Sequence, residues 1–167
     1  MILVDVTPLY DLGQVGELDL LGGFDDFVIP DAVVEEVSVE PAASNLDRFV
    51  DEYDVVTGVA VDAYLEDARA LLNDGSVTSD AVLVACLLAA READEEAGLV
   101  SDDRRLRAIA KGLGATVTGT FGVVVQASMG ETYFTATQAK RVVRRTDHHG
   151  VQMTGQLRER AIGEFDA

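Results

Sequence analysis

The sequence is poor in the residues that mark several common protein classes. Cys86 is the single cysteine among 167 residues, so no internal disulfide can form and a reducing cytoplasm is the expected location. There is no Cys-x-x-Cys pair or Cys/His cluster that would indicate zinc. No apolar run approaches the roughly 18 residues of a membrane span. The opening residues Met-Ile-Leu-Val-Asp lack the basic flank and long apolar stretch of a signal peptide.

Basic residues are also scarce. Lys and Arg total 13 against 30 Asp and Glu, which gives a formal net charge of −17. This balance disfavours a protein that binds nucleic acid through overall attraction, because phosphate contact requires Lys and Arg. It favours an acidic surface adapted to concentrated salt, as in a halophilic archaeon. Disorder is excluded, since 48% of the residues are hydrophobic and they form long Val/Leu/Ala runs.

The charge is unevenly distributed along the chain. Residues 1–99 contain 3 basic and 23 acidic side chains, whereas residues 100–167 contain 10 basic and 7 acidic side chains. The acidic coat therefore belongs to the first three-fifths of the chain. The remainder is mildly basic.

Short apolar runs alternate with segments of helical periodicity, which predicts strands alternating with helices. The predicted strands are Ile2–Val6, Phe27–Ile29, Leu99-Val100 and Ala115–Thr118, with a weak one at Asp54–Val59. This alternation is typical of a three-layer α/β/α fold around a central parallel sheet of four to five strands. We expect residues 1–130 to form the main domain. Residues 131–167 are expected to form a helical extension packed on it.

Two helices carry informative local signals. Pro8 is expected in the first turn of the helix after the first strand, with Thr7 as its N-cap. A helix from Asp80 to about Ala93, capped by Thr78 or Ser79, is apolar all round in its middle. It should therefore be buried on all sides, with Cys86 in the core.

Carboxylates at the ends of predicted strands are the candidate functional groups. In an open parallel sheet the site lies beyond the carboxyl ends of the strands. Asp5 follows the first strand, Asp102 and Asp103 follow the strand at Leu99-Val100, and Asp80 begins the buried helix. Several acids at one end of a sheet repel each other unless a cation lies among them, and oxygen ligands favour Mg²⁺ or Mn²⁺.

A fourth acid is expected on the helix predicted over Asp31–Val39. Val33, Val34 and Val37 define its core face. At 100° per residue, Glu36 lies at the border of that face and Glu35 points to water. Glu36 is therefore the better candidate. The chemistry that matches such a site is phosphodiester hydrolysis, with a metal ion activating water and stabilising the leaving oxygen.

Several segments together resemble the PIN-domain family. They are Val-Asp-Val-Thr-Pro-Leu (4–9), Gly-Glu-Leu-Asp-Leu-Leu (16–21), the stretch 28–37, the stretch 101–110, and Leu-Gly-Ala-Thr-Val-Thr-Gly-Thr-Phe-Gly-Val (113–123). The tail around residues 150–154 is similar to one prokaryotic branch of the family. The order and spacing of these segments carry the resemblance, and the segment 40–77 contributes least.

The resemblance implies a metal-dependent endoribonuclease in a family that includes VapC-type toxins and RNA-processing enzymes. It implies Mg²⁺ or Mn²⁺ as cofactor and four catalytic and metal-binding acids: Asp5, Glu36, Asp80 and Asp103. Asp102 is a further candidate ligand, and Thr7 and Ser101 stand at the family's hydroxyl positions. Asp80 is a departure, because this branch often has Glu there, which would change the reach of the ligand.

Two basic strips are candidate RNA-binding surfaces. Arg104, Arg107 and Lys111 share one face of the helix that begins at Asp103. The pairs Lys140/Arg144 and Arg141/Arg145 form a second strip on a later predicted helix. Both strips are equally compatible with ordinary solvated helix faces. As RNA-binding surfaces, they would follow a phosphate backbone beside the metal site. His148-His149 is interpreted as a loop feature.

Non-catalytic functions remain open at this point. The alternative to a nuclease is a PIN-like scaffold, or a toxin held by an antitoxin protein. The last two predicted helices run over roughly Ala136–Thr146 and Gly155–Ile162. Exposed apolar strips on them would form a homodimer interface or an antitoxin groove. Their residues are Val142, Val143, Val151, Leu157 and Ile162. Phosphoryl transfer through an aspartyl intermediate is disfavoured, because Thr7 stands where a second acid would be required.

Overall fold

A central sheet of four parallel strands organises the fold. The computed structural model describes residues 1–24, 26–129, 141–142 and 144–145. The strands are β1 (Ile2–Val4), β2 (Phe27–Val28), β3 (Gly98–Val100) and β4 (Thr116–Thr118). Their order across the sheet is β2-β1-β3-β4, and every neighbouring pair is parallel. The predicted parallel sheet of four to five strands is confirmed.

Helices cover both faces of this sheet. They are α1 (Val6–Val15), α2 (Asp31–Glu36), α3 (Ala42–Glu52), α4 (Leu65–Leu72), α5 (Ser79–Glu92), α6 (Arg104–Gly112) and α7 (Thr120–Met129), with 3₁₀ turns at Leu18–Gly23 and Asp62–Tyr64. Helix α1 packs against α3, and α5 packs against α4 and α6. The three-layer α/β/α fold expected from the sequence is therefore confirmed. No helix in the described part of the chain is long and apolar enough to cross a membrane.

The strand order creates a switch point between β1 and β3. From β1 the chain crosses through α1 to β2 on one side, and from β3 it crosses through α6 to β4 on the other. Right-handed crossovers in opposite directions put α1 and α6 on opposite faces. A crevice then opens beyond the carboxyl ends of β1 and β3, which is where open α/β sheets bind ligands.

Helix α5 forms the centre of one layer. Leu83, Val84, Cys86 and Leu87 are all buried on it, so the predicted core position of Cys86 is confirmed. The Thr78 hydroxyl accepts a hydrogen bond from the Ala81 backbone N–H at 3.2 Å and caps the helix. This fixes the first turn of α5, and with it the position of Asp80.

Three local predictions differ from the structure. The cap of α1 is Asp5 and not Thr7, because the helix begins two residues earlier than expected and Thr7 lies within it. Helix α2 ends at Glu36 and not at Val39, since the chain turns at Val37 and buries that side chain in the core. The weak strand 54–59 contributes only an isolated bridge between Val28 and Val56.

The described part of the C-terminal region contacts the domain. Val142, predicted on an exposed apolar strip, is buried. Arg145 forms an ion pair with Glu17 at 3.4 Å. Lys140, Val143, His148-His149, Val151, Leu157 and Ile162 lie outside the described residues, as does the last predicted helix, Gly155–Ile162.

Gly13 allows α3 to approach α1 closely. A Cβ atom at this position would lie 3.0 Å from both the Cα and the Cβ of Ala42. We expect Gly13→Val to lower the free energy of unfolding by about 1–3 kcal/mol, because the added methyl groups force the two helices apart. Urea denaturation measures the change.

Gly112→Ala in α6 is the matched control, because no atom lies within 4 Å of the Cβ it would add. Its effect should stay below about 1 kcal/mol. Equal stability of Gly13→Val and the parent protein would contradict the close α1–α3 packing.

Candidate active site

Asp5 lies at the switch point, directly after β1. The ladder between β1 and β3 continues to this residue, since the Asp5 N–H donates to the Val100 carbonyl at 2.9 Å. Its side chain caps α1 by accepting a hydrogen bond from the Val6 N–H at 2.7 Å. The residue is only 5% exposed. The sheet therefore fixes the backbone of Asp5, and the cap fixes its carboxylate.

Ser101 occupies the matching position after β3. Its hydroxyl donates to the second carboxylate oxygen of Asp5 at 2.6 Å and accepts from the Asp103 N–H at 3.1 Å. The side chain is completely buried. The hydroxyl thus connects the ends of the two central strands and orients Asp5.

Asp103 and Asp80 lie at the starts of two other helices. Asp103 caps α6 by accepting from the Leu106 N–H at 2.7 Å. Asp80 is the second residue of α5 and is half-buried. With Asp5 capping α1, three helix N-termini carry these acids, and the partial positive charge of each N-terminus favours a carboxylate.

The three acids influence each other electrostatically. Burial raises the pKa of Asp5 from 3.8 to about 6, although hydrogen bonds from Ser101 and Val6 oppose the rise, and the charges of Asp80 and Asp103 add to it. Burial also raises the pKa of Asp80, and the charges of Asp103 and Glu36 raise it further by smaller amounts. The structure therefore brings Asp5, Asp80 and Asp103 close enough for their charges to interact.

Glu36 reaches the same area from α2. One of its carboxylate oxygens accepts a hydrogen bond from the Ser79 hydroxyl at 2.5 Å, which connects the end of α2 to the first turn of α5. Both Glu35 and Glu36 are exposed. Among the described residues, Ser79 donates to Glu36 and not to Glu35. A groove of about 460 Å³ lies between these elements, and its lining includes Glu35, Glu36, Asp74 and Asp80.

Asp102 and Asp103 have different surroundings. Both carboxylate oxygens of Asp102 accept hydrogen bonds from Thr120, one from its N–H at 3.1 Å and one from its hydroxyl at 2.5 Å. Gly119 leaves room for this carboxylate, because a Cβ there would collide with it. Asp102 therefore fastens the turn between β4 and α7, while Asp103 faces Asp5 and Asp80.

A buried acid that sequence patterns did not single out lies behind the site. Asp11 on α1 is 4% exposed, and one of its oxygens has no hydrogen-bond partner in the described part of the chain. Burial raises its pKa from 3.8 to about 7, and the charge of Asp102 adds to the rise. Its helical position gave only one hint, since Asp11 lies between the apolar residues Leu9 and Leu12.

The predicted basic residues and hydroxyls occupy separate places. Thr7 is exposed on the first turn of α1. Arg104 is exposed on α6, while Arg107 lies near Gly119 and Lys111 is in the last turn of the helix. Arg144 is exposed.

Arg141 and Arg145 lie near Glu17, just beyond the end of α1 that is opposite to Asp5. That helix is about 15 Å long, at a rise of 1.5 Å per residue. The structure therefore does not bring this pair beside the acids.

The donor chemistry suits a divalent cation. Asp5 is a buried carboxylate whose described partners are two hydrogen-bond donors, and further carboxylates surround it. Such a group gains from a nearby cation, and carboxylate oxygens are what Mg²⁺ and Mn²⁺ prefer. In the part of the chain that the structure describes, no three of these side chains already form a metal-holding group. The residues fit the ion in chemistry and charge, without a preassembled cage.

Comparison with known families decides the classification. A family model described as a PIN domain matches residues 1–167. The chain belongs to the PIN-domain family. No curated protein and no solved structure gives a significant match. The resemblance found in the sequence is thus confirmed over the whole chain. In this PIN domain, Asp5 and Asp103 lie beyond the carboxyl ends of β1 and β3. PIN domains are in general nuclease-type domains.

Asp11, one of whose oxygens has no hydrogen-bond partner among the described residues, gives this PIN domain a measurable pH dependence. Because its pKa in the folded protein lies above the unfolded value, the folded state keeps a proton that the unfolded chain has released. The stability from this group is therefore complete below about pH 4 and is lost as the pH rises to about 7. We expect Asp11→Asn to raise the free energy of unfolding at pH 8 by roughly 1–3 kcal/mol and to flatten its pH profile.

Urea denaturation at several pH values measures this effect. Asp51→Asn on α3 is the control, because it removes the same charge from an exposed position. A parallel pH dependence in Asp11→Asn and the parent protein would show that Asp11 does not titrate in this range.

Proposed function

We propose that this PIN domain is a metal-dependent endoribonuclease. The observation that carries the proposal is the buried Asp5 carboxylate, held by Ser101 at the switch point and surrounded by the charges of Asp80 and Asp103. Desolvating a carboxylate among like charges costs free energy, and a fold retains such an arrangement where a cation or substrate uses it. The nuclease character of the family supplies the reaction class.

Asp5, Asp80 and Asp103 would hold Mg²⁺ or Mn²⁺, with Glu36 at the margin beside Ser79. When bound, the ion supplies activation of water and stabilisation of the leaving oxygen in phosphodiester hydrolysis. The protein's own groups prepare this site. Ser101 orients Asp5, Thr78 fixes the turn that carries Asp80, and Asp102 holds the neighbouring α7 turn in place. Asp102 contributes through Thr120 rather than as a ligand in this proposal.

The biological setting is part of the same proposal. The mildly basic residues 100–167 would supply the RNA surface, including Arg104, Arg107 and Lys111 on α6, the helix that Asp103 caps. The single cysteine agrees with a cytoplasmic protein, and the acidic surface agrees with adaptation to concentrated salt. The toxins in the family agree with a homodimer that is restrained by an antitoxin protein. RNA processing without an antitoxin agrees equally well.

Cleavage of RNA by paired variants tests the activity. Wild type is expected to cut single-stranded RNA in molar KCl with Mn²⁺, and Asp5→Asn should be at least about 100-fold slower, because a central ligand is lost. Asp51→Asn, which removes one charge from the exposed surface of α3, should retain activity. Gel electrophoresis of end-labelled RNA measures both rates. Equal cleavage by wild type and Asp5→Asn would overturn the proposal.

A second candidate, a non-catalytic PIN scaffold, is favoured by the lack of a preassembled group of three acids among the described residues. Thermal unfolding with increasing Mn²⁺ separates the two functions. A nuclease site should raise the melting temperature by about 5–10 °C at a hundredfold excess over Kd, because the ion binds only the folded state. Asp5→Asn should lose this shift. A wild-type protein that shows no shift would favour the scaffold.

A further inference from the structure

Arg105 is a charged residue near the site that none of the predicted basic strips includes. It is the second residue of α6 and is exposed. The buried side chains Leu106 and Ala110, together with Ile109, which packs against the core, define the inner face of this helix. At 100° per residue, Arg105 and Arg107 flank that face on opposite sides, and Arg104 points almost directly outward. The two flanking arginines therefore reach different neighbours.

The structure shows which neighbours these are. Arg107 lies beside Gly119, on the side of α6 that faces β4 and the turn after it. Arg105 is on the opposite flank of α6, and α6 packs against α5. The positive charge of Arg105 lowers the pKa of Asp80, against the larger effect of burial and the charges of Asp103 and Glu36. Its charge also acts on Asp74, in addition to the hydrogen bonds from Ser76. Both of these acids line the groove between α2 and the start of α5.

The groove is otherwise unfavourable for a phosphate chain. Glu35, Glu36, Asp74 and Asp80 all contribute to its lining, so a phosphate that enters it meets like charge. Arg69 is a second basic residue near the groove. It donates a hydrogen bond to the Gly75 carbonyl at 2.5 Å and so holds the loop between α4 and α5. Arg105 is exposed, on a rigid helix, one turn or less from Asp103. Its planar guanidinium can bind a phosphate through two parallel hydrogen bonds.

We propose that Arg105 binds the backbone phosphate that lies next to the cleaved bond and guides the RNA strand past the acids of the groove. The inference rests on the proposed nuclease function and deepens it, because it names the residue that makes an acidic groove accept RNA. Arg105 touches the substrate in its ground state. It therefore acts mainly on substrate binding and little on the chemical step.

Steady-state kinetics of Arg105 variants tests this role. We expect Arg105→Ala to raise KM about tenfold with kcat within about twofold, because a charged hydrogen bond to the substrate is lost. The slope of log KM against log salt should differ from that of wild type by about 0.7, the value for one phosphate contact on a single strand. Arg105→Lys should fall between the two, because it keeps the charge and loses the paired hydrogen bonds.

Arg91→Ala is the matched control. Arg91 is exposed on the same helix as Asp80, about 17 Å further along at 1.5 Å per residue, so the variant removes one positive charge at a distance from the groove. It should behave as wild type. A thermal melting curve for each variant checks that the fold is retained.

Two results would overturn the role of Arg105. One is a KM and a salt slope that stay unchanged in Arg105→Ala. The other is a defect that consists only of a shifted pH profile and disappears in Arg105→Lys, since the residue would then act on Asp80 alone.

RNA binding in EDTA, followed by fluorescence anisotropy, separates this inference from the nuclease function. A wild type that binds RNA in EDTA but does not cut it when Mn²⁺ is supplied overturns the nuclease, and the role of Arg105 is then judged by comparing the RNA affinities of wild type and Arg105→Ala. A wild type that neither binds nor cuts RNA overturns both.

Discussion

The hydrogen bond between the Ser101 hydroxyl and the Asp5 carboxylate is the interaction on which the site depends. It joins the ends of β1 and β3, the two central strands from which the chain crosses in opposite directions. A buried carboxylate without such a donor would be far more costly to desolvate. Because the same hydroxyl also accepts from the Asp103 N–H, one buried side chain aligns two acids from different strands.

Helix starts offset part of the repulsion among the acids of the site. Asp5 and Asp103 each cap a helix, and Asp80 lies in the first turn of a third. The partial positive charge at each helix N-terminus stabilises a nearby carboxylate by about 0.3–1 kcal/mol. This stabilisation offsets only part of the repulsion between the acids. The remaining repulsion is visible in the raised pKa of Asp5 and Asp80, which burial initiates and neighbouring acids increase. The arrangement is thus strained in charge but not in backbone geometry.

Sequence patterns could predict what depends on neighbours along the chain. Strand ends located Asp5 and Asp103, and helical periodicity distinguished Glu36 from Glu35, of which only Glu36 has a described bond to Ser79. The pairing of Asp102 with Thr120 joins residues 18 positions apart, and the burial of Asp11 depends on tertiary packing. The periodicity of a sequence can predict neither the Asp102–Thr120 pairing nor the burial of Asp11, because both depend on contacts between distant segments. The choice of Arg104, Arg107 and Lys111 as one strip likewise treated α6 in isolation, whereas packing against α5 decides that Arg105 is the one near Asp80.

The net charge of −17 acts over a range that depends on salt. At about 1 M salt the Debye length is only ~3 Å, so the exposed acids of residues 1–99 contribute little to the approach of a polyanion. What then matters is contact distance, where the Arg105 guanidinium opposes the acids of the groove. At low salt the acidic surface would repel RNA over about 10 Å or more, and one arginine could not compensate for it. Concentrated salt therefore lets RNA approach this acidic protein by screening its surface, but it also weakens each arginine–phosphate contact. Because the proposed role of Arg105 involves a single such contact, that loss stays small.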